Sequence, residues 1–96
     1  MKWEVTIPGK VAKQALRLPE EVRETFEILI SSLSESGPAH PEWPHYGKIK
    51  GALGCHHCHL RGGRPTFVAV WRECGEGKRE VTYVGTHESA DYQRFC

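Results

Sequence analysis

Apolar and polar positions alternate from the start of the chain, where Trp3, Val5 and Ile7 are separated by Glu4 and Thr6. A period of two is that of a strand with one face on a core, and Pro8-Gly9 stops it. Val11, Ala12, Ala15 and Leu16 then recur at helical spacing, which predicts a short helix ending near Leu18. Pro19 suits the first turn of a second helix, where its missing N–H costs nothing, and Glu20 and Glu21 oppose the positive end of the helix dipole. Val22, Phe26, Leu29, Ile30 and Leu33 mark one apolar face of that helix, and Glu35-Ser36-Gly37-Pro38 reads as its end. The two helices are expected to form a hairpin.

Periodicity then disappears. From Gly37 to Gly47 the segment GPAHPEWPHYG carries three prolines and reads as a loop returning the chain to a sheet. Trp43 and Tyr46 either anchor this loop by packing or offer aromatic faces to unpaired bases. KIKG, CHHCHLR and PTFVAVWR follow as strand-like runs, with a turn at Gly62-Gly63. The run Phe67 to Trp71 is apolar at every position, as a central strand covered on both faces should be. Cys74-Gly75-Glu76-Gly77-Lys78 makes the next turn, and Val81, Tyr83 and Gly85 alternate with Thr82, Val84 and Thr86 in a last strand. The expectation is one α+β domain over residues 1–96. In it, an N-terminal strand and a helical hairpin pack on a twisted antiparallel sheet of about four strands, whose other face stays partly open.

Composition sharpens this picture at three points. At 96 residues the chain is too short to divide into two independent cores, and 39% hydrophobic residues suffice for one. No stretch approaches the roughly 20 apolar residues of a membrane-spanning helix. The opening MKWEVTIPGK lacks the apolar core of a signal peptide, so the expected location is cytoplasmic, away from membranes. Cys55, Cys58, Cys74 and Cys96 are accordingly expected to be free thiols.

Net charge is only +1, yet it is unevenly placed. Residues 1–47 carry five Lys/Arg and seven Asp/Glu, whereas residues 48–96 carry eight and five. No acid lies between Glu42 and Glu73, a span holding Lys48, Lys50, Arg61, Arg64, Arg72, His45, His56, His57 and His59. A polyanion has one place to sit, although a merely solvated face would look similar.

The densest chemistry is Cys55-His56-His57-Cys58-His59, which must first be tested as a metal site because Cys and His are the usual zinc ligands. On a strand, however, Cys55, His57 and His59 face one way while His56, Cys58 and Leu60 face the other, so the five cannot converge. No metal and no cofactor are expected. If Cys58 and Leu60 point into the core beneath the helices, His57 and His59 stand on the open face. There they are either exposed residues without a task or a pair that takes and gives protons while arginines hold phosphate. Toward the C-terminus, Gly85 is expected to let the strand bend and bring His87 and Tyr92 to the rim of the same face.

The order of elements and several short motifs resemble the RelE/ParE superfamily of toxins from type II toxin–antitoxin systems, over nearly the whole chain. Lys48-Ile49-Lys50-Gly51 is similar to the family's Leu-Lys-Gly lead-in to the sheet. Val84-Gly85-Thr86-His87 through Tyr92 is similar to its closing Val-Gly-His-Arg…Val-Tyr. CHHCHLR resembles a strand of RelE-type members that carries lysines at the positions of His57 and His59, and an arginine at Arg61. His87 falls where the family usually has a catalytic arginine, and Tyr92 matches a tyrosine that stacks on the substrate base or assists transfer. A further family arginine is Thr66 here, with Arg64 close by.

What the resemblance implies is a ribosome-dependent mRNA endoribonuclease that inhibits translation. His57 or His59 would act as base and His87 as acid, with Arg61 and Arg64 on the phosphate and Tyr92 orienting the base or leaving group. Lys48, Lys50 and Arg72 would bind the RNA backbone. It also implies a cognate antitoxin, in a possible hetero-oligomer, with ribosome and mRNA as the other partners. The alternatives are a ParE-type toxin that poisons gyrase without catalysis and a small zinc module built on Cys55, Cys58 and the histidines.

Overall fold

The computed structural model of the chain describes residues 3–35, 42–49 and 54–90. Strand β1 (Glu4–Thr6) leads into helices α1 (Gly9–Leu16) and α2 (Glu20–Glu35). Strands β2 (Gly47–Lys48), β3 (Cys55–Arg61), β4 (Phe67–Gly75) and β5 (Lys78–Thr86) follow, and a single 3-10 turn spans His87–Ser89. The spacing-based helix limits are thus borne out to within two residues.

The sheet has the order β1-β5-β4-β3-β2, with β4 at its centre. Every residue from Phe67 to Trp71 is buried, as a strand covered on both faces requires. The expected α+β architecture is borne out, with β2 to β5 as its four antiparallel strands; the sequence left open where β1 pairs, and it joins the sheet as a fifth strand parallel with β5, setting Glu4 opposite Lys78. Alternation identifies a strand but not its partner. Here the helical hairpin carries the chain away across one face, and β1 is held by Glu4 N–H donating to Gly77 O and Trp3 N–H donating to Ser34 O, at 2.8 and 2.7 Å.

Val22, Phe26, Leu29 and Leu33 of α2 and Val11 of α1 pack on Cys58, Leu60, Phe67, Ala69, Trp71, Val81 and Val84. Gln14 of α1 adds a directional tie, its Oε1 accepting the Val84 N–H at 3.1 Å. A smaller cluster of Ile49, Cys55, Val68, Val70 and Tyr83 lies on the opposite face.

Of three register shifts that interrupt strict alternation, two bear on the site: one between His59 and Arg61 of β3, and one where Trp71 faces Val81 after Val70 has faced Tyr83. Each inserts a residue, Leu60 in the first and Thr82 in the second, and reverses which face the following side chains occupy. The expected grouping of Val81 with Tyr83 and Gly85 is therefore corrected: Val81 and Val84 share the helix-covered core, while Tyr83 belongs to the open face.

Cys58 is buried and Cys74 exposed, both as free thiols, whereas Cys55 is disulfide-bonded. The expectation of free thiols throughout is corrected for Cys55. It rested on redox compartment alone, but whether a bond forms also depends on which sulfurs the fold brings within reach. Among the described residues no helix is long and apolar enough to cross a membrane.

Candidate active site

Strand β3 sorts its three consecutive-parity histidines by face. His56 is on the helix-covered side and almost fully buried, stacked on Trp71 at a centroid distance of 5.8 Å. A buried imidazole needs partners for both ring nitrogens. Tyr46 Oη lies 2.8 Å from His56 Nδ1, and Glu73 Oε2 lies 2.9 Å from His56 Nε2. Since a carboxylate only accepts, His56 donates through Nε2–H to Glu73, which leaves Nδ1 to accept the Tyr46 hydroxyl.

His57 and His59 stand on the open face, half-buried, as the alternation of the sequence implies. His57 lies against the β2 edge, where a Cβ on Gly47 would meet its Nε2 at 3.4 Å. His59 is sandwiched. His45 stacks on it at 4.2 Å with an interplanar angle of 26°, and His87 meets it edge-on at 5.6 Å. Four imidazoles from three separate segments thus gather on one face: His45 from the loop before β2, His57 and His59 from β3, and His87 after β5. Burial, then the neighbouring His87, His45 and His56, holds His57 below the ordinary histidine pKa. Burial, then His45, His87 and His57, does the same for His59. Burial and like charge both disfavour the cation, so these two rings are neutral bases at neutral pH.

Gly85 positions His87 in a way different from the expected bend. A Cβ there would lie 2.6 Å from the Tyr83 hydroxyl and 2.9 Å from its ring, so glycine leaves the space into which Tyr83 folds along its own strand. Tyr83 Oη then donates to Thr86 O at 2.8 Å, and His87 N–H donates to Thr66 O at 2.8 Å, fixing the turn on which His87 sits.

The cationic residues are more scattered than the sequence suggested. The Leu60 bulge puts Arg61 opposite Phe67, with its guanidinium 5.1 Å from the centre of that ring, and Phe67 belongs to the helix-side core. Arg61 is thereby turned away from the imidazoles. Arg64 is exposed in the turn before β4. Arg72 is bound to Glu80, Nη2 to Oε1 at 2.8 Å and Nε to Oε1 at 3.0 Å, which neutralises it locally. Lys48 is exposed and pairs in register with His56, so it shares the helix-side face of the edge. Lys50 and Tyr92 lie outside the described residues.

His45, Tyr46, His56 and Glu73 were not among the residues expected to form the site. A signal for His56 was present, because alternation places it on the core side, where an imidazole must find partners. None pointed to Glu73. Trp43 and Tyr46 pack against the helix-side core, which decides for loop anchoring over base stacking. Among the described residues no group of three or more His, Cys, Asp or Glu side chains is arranged to hold a metal ion, and β3 divides the CHHCH cluster between its faces.

A two-helix hairpin on one face of an open five-stranded mixed sheet is a RelE-like fold. Two solved structures carry that likeness. A double arginine-to-alanine mutant of the E. coli toxin RelE in the free state superposes with a TM-score of 0.75 at 21% identity, covering 98% of this chain and 93% of that one. The isolated E. coli RelE toxin gives 0.68 at 20% identity, covering 96% and 92%. No family model and no curated protein matches the chain.

Proposed function

We propose that this protein is the toxin of a type II toxin–antitoxin system and acts as a metal-independent endoribonuclease on mRNA at the ribosome. The observation that carries the proposal is the gathering of His45, His57, His59 and His87 on the open face of a RelE-like fold. His59, kept neutral by burial and by its neighbours, accepts the proton of a ribose 2′-hydroxyl. The freed oxygen attacks the adjacent phosphorus and forms a 2′,3′-cyclic phosphate, while His87, as the general acid, gives a proton to the departing 5′-oxygen. His57, more enclosed, is the alternative base. Arg64, exposed on the turn before β4, takes the phosphate-holding role ahead of Arg61, whose guanidinium lies over Phe67. Tyr92, by resemblance, orients the base or the leaving group, and Lys48 and Lys50 contribute charge toward the RNA backbone. A cognate antitoxin partner and a cytoplasmic location follow from the same reading.

Induced expression with primer extension on mRNA tests this. Codon-phased cuts that vanish in the His57→Ala, His59→Ala double variant are the expected result. Intact transcripts accompanied by DNA damage would instead favour gyrase poisoning. Full toxicity of a folded double variant would remove histidines 57 and 59 from the mechanism.

A further inference from the structure

The hydrogen-bonded chain Glu73–His56–Tyr46, buried at its central His56, has no part in the proton transfers above, yet it ends on the residue next to His45. We propose that this chain is a positioning device for the active site: it holds the turn from Glu42 to Tyr46 so that His45 stacks on His59 as a fourth imidazole of the site. The inference rests on the imidazole site proposed above and adds residues from outside it.

Four independent contacts fix the turn. Tyr46 is tied through its hydroxyl to His56 Nδ1 at 2.8 Å, and His56 is tied to Glu73 at 2.9 Å. Tyr46 and His56 also stack on Trp71, at 6.2 and 5.8 Å, which sets the three rings in one pile on the covered face. Within the turn, Tyr46 N–H donates to Trp43 O at 3.1 Å. The backbone N–H of His59 itself donates to Pro44 O at 2.8 Å, so the turn is fastened to the very residue it covers.

Between these anchors His45 has φ 54°, a left-handed conformation that a side chain with a Cβ adopts only where its surroundings demand it. Its neighbours on either side are held on the edge or the covered face, and the left-handed step turns the His45 ring over the edge onto His59. The chain of hydrogen bonds on one face of the sheet is thereby converted into a ring contact on the other.

The stack matters because of what surrounds His59. The titratable groups acting on it are His45 from the loop, His87 from the turn after β5 and His57 on its own strand, while its partner across the ladder is the apolar Val68. Of these, His45 stacks closer than His87, at 4.2 against 5.6 Å, and is the only one from a segment without regular structure. Fixing it restricts the rotation of His59 and supplies a neighbour that opposes its protonation. His45 is a member of the site, whereas Tyr46, His56 and Glu73 act through it and are positioning residues.

Side-chain NMR of the intact protein, titrating each imidazole, tests the proposal without reference to RNA. The variants are His45→Asn, Tyr46→Phe, Glu73→Ala and Glu73→Gln. Asparagine tolerates the left-handed backbone, and phenylalanine keeps the stacking on Trp71 while removing only the hydroxyl. In His45→Asn the His59 titration midpoint is expected to rise toward the ordinary histidine value. Tyr46→Phe and Glu73→Ala should move it in the same direction and weaken the His45–His59 ring cross-peak. Glu73→Gln should restore both, since its amide oxygen still accepts from His56 Nε2–H. An unchanged cross-peak and midpoint in Tyr46→Phe would overturn the positioning role. Should that variant fail to fold, the Glu73→Ala and Glu73→Gln pair decides in its place. On RNA the expected loss in Tyr46→Phe is in kcat, on the order of 10-fold to 10²-fold, with KM little changed. If the wild-type protein cleaves no RNA the nuclease reading fails, and the titrations still decide whether the chain positions His45.

Discussion

The two faces of the sheet treat the same side chain in opposite ways. On the covered face His56 lies against Trp71 with both ring nitrogens committed, one to Tyr46 and one to Glu73. On the open face, one residue on, His57 and His59 have other imidazoles as their neighbours and are held below the ordinary histidine pKa. The difference teaches that what an imidazole can do is decided by its surroundings. A ring bonded at both nitrogens braces the structure, and a neutral ring among its own kind is available to take a proton.

The largest effect expected from this contrast is in thiol chemistry. Cys58, on the covered face, is pushed up to about 12 by burial, while Cys74 is exposed and free. At pH 8 the thiolate fraction of Cys58 is about 10³-fold below that of a thiol at the ordinary 9.0, before its lack of access is counted. Iodoacetamide labelling followed by mass spectrometry should modify Cys74 and leave Cys58 untouched until denaturant is added. Equal labelling of both in the native protein would mean that the covered face is not covered.

Trp71→Ala strikes the covered face directly. It removes a fully buried ring from beneath α2 and the surface on which Tyr46 and His56 stack, and should cost about 3–5 kcal/mol in equilibrium denaturation. On the open face, Gly85→Ala drives a methyl group into the Tyr83 hydroxyl, displaces its bond to Thr86 O and shifts the turn bearing His87. Overpacking of this kind costs about 1–3 kcal/mol. RNA cleavage should fall further than stability in this variant, because the displaced element carries the proposed acid. A fall in stability with undiminished cleavage would separate His87 from the chemistry.

These faces were only partly legible in the sequence. The helices were, because Val22, Phe26, Leu29 and Leu33 keep a helical period without interruption, and the central strand was, because Phe67 to Trp71 offers no polar face. The placement of His57 and His59 followed from Cys58 and Leu60 between and beside them. The bulges at Leu60 and Thr82 were not legible, since an inserted residue alters the facing of everything beyond it without changing composition. That is why Arg61 was expected among the imidazoles and is found over Phe67. His45 was hidden for another reason: its segment has no period, and the contacts that aim it come from Tyr46, Pro44 and a carboxylate two strands away.

The smallest effect is a pH dependence of stability, and its sign distinguishes the faces. His57 and His59 have folded-state pKa values below the 6.5 they have when exposed, so the unfolded chain takes up protons as pH falls through about 6.5 while the folded chain resists them. The unfolded state then binds more protons, and stability is lost on acidification through that range. The loss levels off only once pH passes below the depressed folded values. Denaturant midpoints from pH 7.5 to 5.5 should therefore fall, and His57→Gln, His59→Gln should flatten the profile by removing the two groups that resist protonation. A glutamine at position 56 gives a different result. His56 is fixed by Tyr46 and Glu73, and replacing it should lower stability even at pH 7.5, where His57 and His59 are already neutral. If the open-face pair and His56 proved interchangeable in these profiles, the division of labour between the two faces would be wrong.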